Sequence, residues 1–358
     1  MAARAEPRRV ESGAAPSWSR SVAVRSVAGL AVGALMVYAF LRVVSFGGVV
    51  RRLDHLDILL AGLSGVVFLG AWVVRALRWR RLLRPAQVSA PRAVGIYMVA
   101  IFLNWMLPVR GGELAKSLLL RRSNGIPVAQ SLPTVTMDKA LDLLPAVALL
   151  VLLPIVHLPL TRPLLSLLLL ILSALVLGAL ALVLVAWRRE PALGWLTSAV
   201  ERLVPRRARP QVAPFVAGFT DTLLRLAGQP RLLLISCGYT AVAVGLDSLF
   251  CFLAFRAVAA SVPFAVVLYG YTLYNLAYIL PTPPGQIGSN EVVGLLVFSG
   301  LFGVSRSAVG AMFLFSHPWT AVLMVASGTL CLRAMGLNLR RVLGMVRPHP
   351  AVAEERAA

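Results

Sequence analysis

Charge and cysteine are both scarce in this chain. Only 14% of its 358 residues are charged, and 14 acidic residues stand against 35 lysines and arginines. The three cysteines, Cys237, Cys251 and Cys331, lie inside apolar runs and show no paired spacing. Cysteines in such positions usually serve as small side chains within membrane helices, and these three do not indicate a redox or metal motif.

Recognisable enzyme motifs are also missing. The sequence contains no His-Glu-x2-His, no Gly-x4-Gly-Lys-Ser/Thr, no Gly-x-Ser-x-Gly and no Cys-x2-Cys. These patterns would indicate a zinc site, a phosphate-binding loop, a nucleophilic serine or a thiol pair. We expect no attached soluble catalytic domain. We therefore expect a protein that is not an enzyme and has neither a cofactor nor a bound metal.

Apolar residues, by contrast, are abundant. They make up 59% of the chain, and the mean hydropathy is +0.82. A soluble domain of this size could not cover so much apolar side chain. Apolar runs on the scale of a bilayer crossing occupy residues 27–44, 56–74, 145–155, 164–187, 232–255 and 308–332. The sequence predicts an all-α polytopic membrane protein with about six to eight transmembrane segments.

The formal charge of +21 is distributed at the ends of these runs. Basic residues there meet lipid headgroups and set orientation, so the charge indicates membrane lipids as partners and argues against nucleic acid. The positive-inside rule places both termini in the cytoplasm. We expect a disordered basic tail at 1–24, a transmembrane domain at 25–335, an amphipathic cytoplasmic segment at 190–230 and a second cytoplasmic tail at 336–358. No removable signal peptide is expected.

A loop pattern occurs twice in the chain. Pro, Ala and Tyr recur at an offset of 172, and Glu113 and Glu291 are related by an offset of 178. Each copy breaks an apolar stretch with loop-forming residues, which are Asn104, Pro108, Gly111 and Gly112 in the first and Asn275, Pro281, Pro284, Gly285 and Gly288 in the second. Paired broken helices of this kind are typical of transporters built from inverted repeats.

The arginine distribution gives the two copies opposite directions. A full crossing between residues 93 and 122 would bring Arg121 and Arg122 to the outer face, against the positive-inside rule. A re-entrant hairpin avoids this conflict. We therefore predict an inverted repeat with two re-entrant helical hairpins, repeat one at about 56–157 and repeat two at about 232–333. The alternative is eight full spans joined by simple turns.

Several polar residues lie within these apolar segments and are candidates for contact with a substrate. They are Arg110, Glu113, Lys116, Lys139, Asp142, Glu291 and His317. His317 corresponds to Lys139 at the offset of 178. Free N–H groups at the ends of broken helices, together with the basic side chains, favour an anion. The two glutamates either cap the half-helices and hold the loops, or take part in proton or substrate coupling.

The segment Asp138-Lys139-x2-Asp142 admits three interpretations. It is a self-neutralising buried cluster, the polar wall of a central cavity, or a carboxylate pair that holds Mg²⁺ for lipid-group transfer. One Asp pair with a lysine between its members is a poor metal–diphosphate site. Asp247 is a further acid in mid-span for which the sequence suggests no partner.

In order along the chain, these motifs resemble one family. They are Arg75-x2-Arg78-Trp79, Asn104-x2-Leu107-Pro108-x2-Gly111-Gly112-Glu113, Asp138-Lys139-x2-Asp142 and Leu280-Pro281-x2-Pro284-Gly285-x2-Gly288-x2-Glu291. The sequence is similar to the lysylphosphatidylglycerol synthase transmembrane region, a flippase-like family, over about residues 50–335. The usual Glu-Arg-x2-Asp of that family is Asp138-Lys139-x2-Asp142 here, and His317 stands where a basic residue often follows the second loop.

The resemblance implies an integral protein of a bacterial-type inner (plasma) membrane with a role in moving lipids between leaflets. We expect no soluble transferase domain of the kind that the aminoacyl-lipid synthases carry, and we therefore do not expect this chain to synthesise lipid. We expect a lipid translocase that acts by alternating access on an anionic or lipid-linked polar headgroup. The alternative is a non-transporting accessory subunit of a lipid-modifying or glycosyl-transferring enzyme.

Overall fold

In a computed structural model, the secondary structure of the described residues is entirely helical. The structure describes residues 17–106, 111–156, 209–276 and 282–346, with a few isolated positions between 166 and 202. The helices are α1 (Ser17–Val43), α2 (Phe46–Asp54), α3 (Ile58–Leu82), α4 (Ala90–Met106), α5 (Gly112–Asn124), α6 (Val128–Val156), α7 (Arg209–Ala227), α8 (Pro230–Ala257), α9 (Phe264–Leu276), α10 (Ser289–Leu301), α11 (Arg306–Ala334) and α12 (Leu339–Val346). A 3₁₀ turn at Pro284–Gln286 precedes α10.

Three of these helices, α3, α8 and α11, are long and apolar enough to cross a membrane. A fourth candidate is the pair α1 and α2, which bends by 89° near Ser45. Helix α6 has 29 residues and is about 44 Å long at the usual rise of 1.5 Å per residue, although it carries charges. The chain is an all-α polytopic membrane protein, as predicted.

The helix boundaries repeat along the chain. Helices α6 and α11 both have 29 residues, and both ends of α11 lie 178 positions after those of α6 (306 minus 128 and 334 minus 156). Helices α3 and α8 begin 172 positions apart (230 minus 58). Helices α3–α6 therefore correspond in order to α8–α11. The two sets cover residues 58–156 and 230–334, against the predicted repeats 56–157 and 232–333.

The equivalent helices α3 and α8 of the two repeats are antiparallel. Along α3, Phe68 contacts Phe250 with ring centroids 5.3 Å apart, Arg75 pairs with Asp247, and Arg78 donates to Thr240. Partner numbers on α8 fall as those on α3 rise, so the helices run in opposite directions. The repeats are therefore inverted with respect to each other.

The axis that relates the repeats passes between Arg75 and Asp247. These two residues are equivalent at the offset of 172, so each repeat contributes the same position to this pair. The two contacts on either side of this pair, Phe68–Phe250 and Arg78–Thr240, are also equivalent to each other. At the offset of 172, Phe68 corresponds to Thr240 and Arg78 corresponds to Phe250. Self-matching contacts of this kind are the mark of a two-fold interface.

Each repeat contains a hairpin of short helices. Hairpin one is formed by α4 and α5, and hairpin two by α9 and α10. These helices have 17, 13, 13 and 13 residues, fewer than the roughly 20 that a full crossing requires. Their lengths favour re-entrant hairpins over the alternative of eight full spans.

The 3₁₀ turn of hairpin two lies against the C-terminal end of α4 in hairpin one. A Cβ placed on Gly285, in the 3₁₀ turn of hairpin two, would lie 3.7 Å from Trp105 Cζ2 near the end of α4. Helix α1 covers the other side of this turn, where Gly29 approaches Pro284 and Gly33 approaches Ile287. Gly285 and Gly288 have φ values of +66° and +79°, which glycine adopts without strain.

Two predicted segments are more ordered than expected. Helix α1 begins at Ser17, so the tail predicted for 1–24 includes helical residues because the apolar pattern extends upstream of residue 25. The predicted tail 336–358 contains α12, whose Val342 is buried against the α4 and α5 region. In the predicted amphipathic segment 190–230, α7 buries Leu224 and Leu226 and packs on α6.

Cysteine labelling tests the inverted direction of the repeats. Ser89 and Ser261 are equivalent, exposed, and follow the C-terminal ends of the antiparallel helices α3 and α8. In a background with the three native cysteines replaced by alanine, Ser89→Cys and Ser261→Cys should react with a membrane-impermeant maleimide from opposite sides. We expect Ser89→Cys to react in inside-out vesicles and Ser261→Cys in intact cells. Reaction of both from one side would contradict the inverted repeat.

Candidate functional site

Eight charged side chains form one network in the centre of repeat one and across its boundary with α8. Four are cations and four are anions, so their formal charges cancel: Arg75, Arg78, Lys116 and Lys139 against Glu113, Asp138, Asp142 and Asp247. We call these residues the repeat-one network. Charges within a membrane are tolerated when they pair with one another or face water. This network meets the first condition.

Arg78 is the centre of the network. Its guanidinium donates to Asp138 Oδ1 at 2.9 Å, to Asp142 Oδ1 at 2.7 Å and to Thr240 Oγ1 at 2.7 Å, and its side chain is fully buried. Asp138 is also fully buried and accepts a second hydrogen bond from Tyr97 OH at 2.8 Å. One arginine thereby joins α3, α6 and α8. These contacts of Asp138 agree with the first of the three interpretations of this segment, a self-neutralising buried cluster.

Hairpin one is tied together by Asn104. Its Oδ1 accepts a hydrogen bond from Gly112 N at 2.8 Å, and its Nδ2 donates to Glu113 Oε1 at 3.0 Å. The first exposed N–H of α5 is thus satisfied by a side chain of α4, as a capping residue would do. Gly112 allows this close approach, because a Cβ there would lie 2.0 Å from the carbonyl oxygen of Ala100.

Glu113 connects hairpin one to α6. Its Oε2 is 3.1 Å from Lys116 Nζ, and its Oε1 is 3.1 Å from Lys139 Nζ. Lys116 is 1% exposed, and its ammonium also lies 3.7 Å from the centroid of the Tyr97 ring, a cation–π contact. Lys116 therefore lies inside the protein and already has partners, which leaves it little room to contact a substrate in this conformation.

Lys139 is the most exposed member of the repeat-one network. Its side chain is 46% exposed, whereas Glu113 and Asp142 are 22% and 20% exposed and the others are 11% or less. Lys139 Nζ lies 3.1 Å from Glu113 and 3.6 Å from Asp142. An ammonium has three donors, so these two contacts leave one free for an added anion.

Repeat two has a counterpart to the pair Glu113–Lys139. Glu291 Oε1 lies 2.5 Å from His317 Nδ1, and His317 Nε2 lies 2.8 Å from the carbonyl oxygen of Gly285. Glu291 and His317 each lie 178 positions after Glu113 and Lys139. In both repeats a glutamate in the first turn of the second hairpin helix therefore pairs with a basic side chain in the middle of the following long helix.

Four other charged positions of repeat one have uncharged equivalents in repeat two. The positions that correspond to Arg78, Lys116, Asp138 and Asp142 are Phe250, Gly294, Ser316 and Thr320. Phe298 and Phe313 pack into this region, and a Cβ on Gly294 would lie 2.0 Å from Phe313 Cε2. Apart from Asp247 on the axis, this part of repeat two is thus a more apolar version of repeat one that retains one carboxylate–base pair, Glu291 with His317.

The remaining predicted site residues have separate positions. Gly111 is the N-cap of α5, and Pro284 opens the 3₁₀ turn. Asn275 is still within α9, where its Nδ2 donates to the carbonyl of Tyr271. Arg110, Pro108 and Pro281 lie outside the described residues.

Sequence reasoning missed Arg75 and Arg78 as partners of the acids. Arg75 pairs with Asp247 at 2.5 Å, although the two are 172 residues apart. The repeat offset itself was the available signal, because residues on a two-fold axis meet their own equivalents. Asp138 and Asp142 both accept hydrogen bonds from Arg78, so neither carboxylate is free to hold Mg²⁺. Within the described part of the chain, no three His, Cys, Asp or Glu side chains cluster as metal ligands.

Comparisons with known proteins agree with the resemblance of the motifs. The family model described as the lysylphosphatidylglycerol synthase TM region matches residues 26–328. A UPF0104 membrane protein from Pyrococcus horikoshii is 26% identical over 273 residues, which are 72% of this chain and 80% of the relative. A UPF0104 membrane protein from Methanothermobacter thermautotrophicus is 25% identical over 280 residues, 73% of this chain and 78% of the relative.

Proposed function

Because the chain belongs to the lysylphosphatidylglycerol synthase transmembrane-region family, we propose that it is a lipid translocase and not an enzyme. It moves an anionic or lipid-linked polar headgroup between the leaflets of a bacterial-type inner membrane, with both termini in the cytoplasm. The observation that carries this proposal is the pair of inverted hairpins of short helices, which meet where Gly285 lies against Trp105 near the end of α4. Non-helical backbone at membrane depth is tolerated where protein or a water-lined cavity surrounds it.

Lys139 is the group that would receive the headgroup. Its ammonium is the most exposed charge of the repeat-one network and has a donor to spare. A phosphate that binds the free donor of Lys139 neutralises the ammonium and so weakens its attraction to Glu113. Glu113 then keeps only the partners in its own hairpin, Asn104 and Lys116. Headgroup binding would thereby loosen hairpin one from α6.

The inverted repeat supplies the second half of an alternating-access cycle. Because α3 and α8 are antiparallel equivalents, a movement that opens hairpin one toward one side has a counterpart that opens hairpin two toward the other. The ion pair Arg75–Asp247 lies on the axis between the repeats and can persist in both states. The acyl chains would remain in lipid while the headgroup passes the hairpin tips.

Lys139→Gln should abolish most of the transport without unfolding the protein. Loss of a charged hydrogen bond to an anion removes about 1.5–3 kcal/mol, or roughly tenfold or more in affinity. Fluorescent phosphatidylglycerol and phosphatidylcholine in proteoliposomes, quenched from outside with dithionite, measure the rate and the headgroup preference. The melting temperature should change little, because Lys139 is half exposed.

Lys139→Arg is the matched control and should retain transport, since it keeps the positive charge. Wild-type rates in Lys139→Gln would contradict the role of Lys139 in binding the anion. If the unmodified protein moves neither lipid faster than empty vesicles do, the translocase proposal is wrong and the accessory-subunit alternative gains support.

A further inference from the structure

Both ring nitrogens of His317 face oxygen atoms. Nε2 lies 2.8 Å from the carbonyl oxygen of Gly285, and Nδ1 lies 2.5 Å from Glu291 Oε1. A backbone carbonyl can only accept a hydrogen bond, so Nε2 must carry a hydrogen. In a neutral imidazole the other nitrogen, Nδ1, is then an acceptor.

This geometry determines how many protons the pair holds. A bare carboxylate and an unprotonated Nδ1 are both acceptors, and they cannot lie 2.5 Å apart as a hydrogen bond without a proton between them. The pair is therefore either imidazolium with carboxylate or imidazole with carboxylic acid. Both forms are neutral overall, which suits a site where Glu291 is 7% exposed.

Glu291 depends heavily on this one proton. Its second oxygen, Oε2, is buried and has no hydrogen-bond partner among the described residues. Release of the proton to water would leave a neutral imidazole, a carboxylate and one net negative charge. The acceptor–acceptor contact would then be repulsive, and the buried charge would be unpaired.

We propose that Glu291 and His317 form a proton-binding site whose proton clamps the tip of hairpin two to α11. With the proton bound, His317 holds both Glu291 at the start of α10 and the Gly285 carbonyl in the tip turn. Loss of the proton breaks the contact with Glu291, while Nε2–H still donates to the Gly285 carbonyl, so the start of α10 is released from α11 and can reorient at Gly288. The coupling of this clamp to lipid movement rests on the proposed function; the clamp itself does not.

The equivalent pair in repeat one is not built to respond in this way. Lys139 is an ammonium, which keeps its charge across the physiological range, whereas imidazole changes charge within it. Glu113 also has Asn104 and Lys116 as partners, and these would hold it after a change at Lys139. The proton site is therefore specific to repeat two, and the headgroup site to repeat one.

Other charged or titratable groups lie on the helices that pack against the clamp. They include Tyr38 and Arg42 on α1, Arg51, Arg52 and Asp54 on α2, Arg75, Arg78, Arg80 and Arg81 on α3, Arg92 and Tyr97 on α4, Arg231, Tyr239, Asp247 and Arg256 on α8, Tyr269, Tyr271 and Tyr274 on α9, and Arg306, Cys331 and Arg333 on α11 itself. Among the residues that the structure describes, none of these forms an ion pair with Glu291 or His317.

Accessibility of a cysteine at residue 289 measures the opening of the clamp. Ser289 is 6% exposed at the start of α10, so Ser289→Cys should react with maleimide only when hairpin two opens. Glu291→Gln is the matched variant, because its amide can donate to Nδ1 without a titrating proton and should keep the clamp closed. The quantity to compare is the labelling rate of Ser289→Cys with Glu291 intact, divided by its labelling rate in the Glu291→Gln background. The pH dependence of the thiol itself is the same in both and cancels in this ratio.

We expect this ratio to rise by about tenfold per pH unit once the pair titrates, as linkage to one proton requires. A flat ratio between pH 5 and 10 would overturn the proposal. Nitrogen-15 spectra of the four histidines in nanodiscs follow the wild-type protein directly, and the His317 signal is assigned by its loss in His317→Gln. The His317 Nδ1 signal should change over the same pH range as the proton shared with Glu291 is lost, and a His317 signal unchanged across it would overturn the proposal.

Proteoliposomes with an imposed pH gradient separate the two proposals. Lipid movement that ignores the gradient, together with a flat labelling ratio, would remove the proton site and leave the translocase. A pH-dependent ratio with no lipid movement under any gradient would retain the clamp and remove the translocase. With both proposals correct, the gradient should change the transport rate of the wild type and leave Glu291→Gln without transport.

Discussion

Gly112→Ala should prevent the protein from folding stably. A Cβ at this position would lie 2.0 Å from the carbonyl oxygen of Ala100 and 2.7 Å from Asn104 Oδ1. The first of these atoms belongs to the backbone of α4, which cannot move away without separating α4 from α5. That separation would also break the hydrogen bond from Gly112 N to Asn104 and weaken the contact of Glu113 with α6. The expected loss exceeds about 3 kcal/mol, at the upper end of overpacking effects.

The yield of monodisperse protein and its melting temperature in detergent measure this effect. Gly245→Ala in α8 is the matched control, because a Cβ there meets no atom within 4 Å. It should leave stability unchanged or raise it by about 0.5–1 kcal/mol, the advantage of alanine over glycine in a helix. A Gly112→Ala protein as stable as Gly245→Ala would show that α4 and α5 are not packed as described.

Arg78→Leu should destabilise the protein by about 3–5 kcal/mol, the range found when one partner of a buried ion pair is removed. The substitution leaves Asp138 without its guanidinium and takes from Asp142 its shortest contact. A large apolar side chain is sterically acceptable at the equivalent position of repeat two, where Phe250 is found. The loss would therefore come from uncompensated charge and not from poor fit.

A second substitution distinguishes these two causes. Asp142→Asn in the Arg78→Leu background removes one of the stranded charges and should recover part of the melting temperature. Arg75 lies 3.5 Å from Asp142 and would retain Asp247 as its main partner. A double variant less stable than Arg78→Leu alone would show that steric misfit dominates. Lys139→Gln, at the exposed end of the same network, should shift the melting temperature far less.

The sequence predicted the repeat and its direction because these depend on spacing. Helix lengths and loop breaks follow the chain, so the offsets of 172 and 178 correctly related the helices of one repeat to those of the other. Arginine counts then gave opposite directions, in agreement with the antiparallel course of α3 and α8. The same offset identified His317 as the equivalent of Lys139.

The sequence did not predict which side chains meet. Contacts between helices depend on how each helix is rotated about its axis, and spacing along one helix does not supply that rotation. Lys116, a predicted substrate contact, is rotated inward against Tyr97 and is 1% exposed, whereas Lys139 is rotated outward. Glu291 had no partner close in sequence, because His317 lies on the next long helix.

The ion pair on the axis, Arg75 with Asp247, has an evolutionary consequence. Two identical halves meeting at this axis would bring arginine against arginine or aspartate against aspartate, with buried like charges in contact. A symmetric dimer of either present-day half is therefore excluded at this position. In a single polypeptide the two positions can differ, so opposite charges can meet there and each half supplies the charge that the other needs.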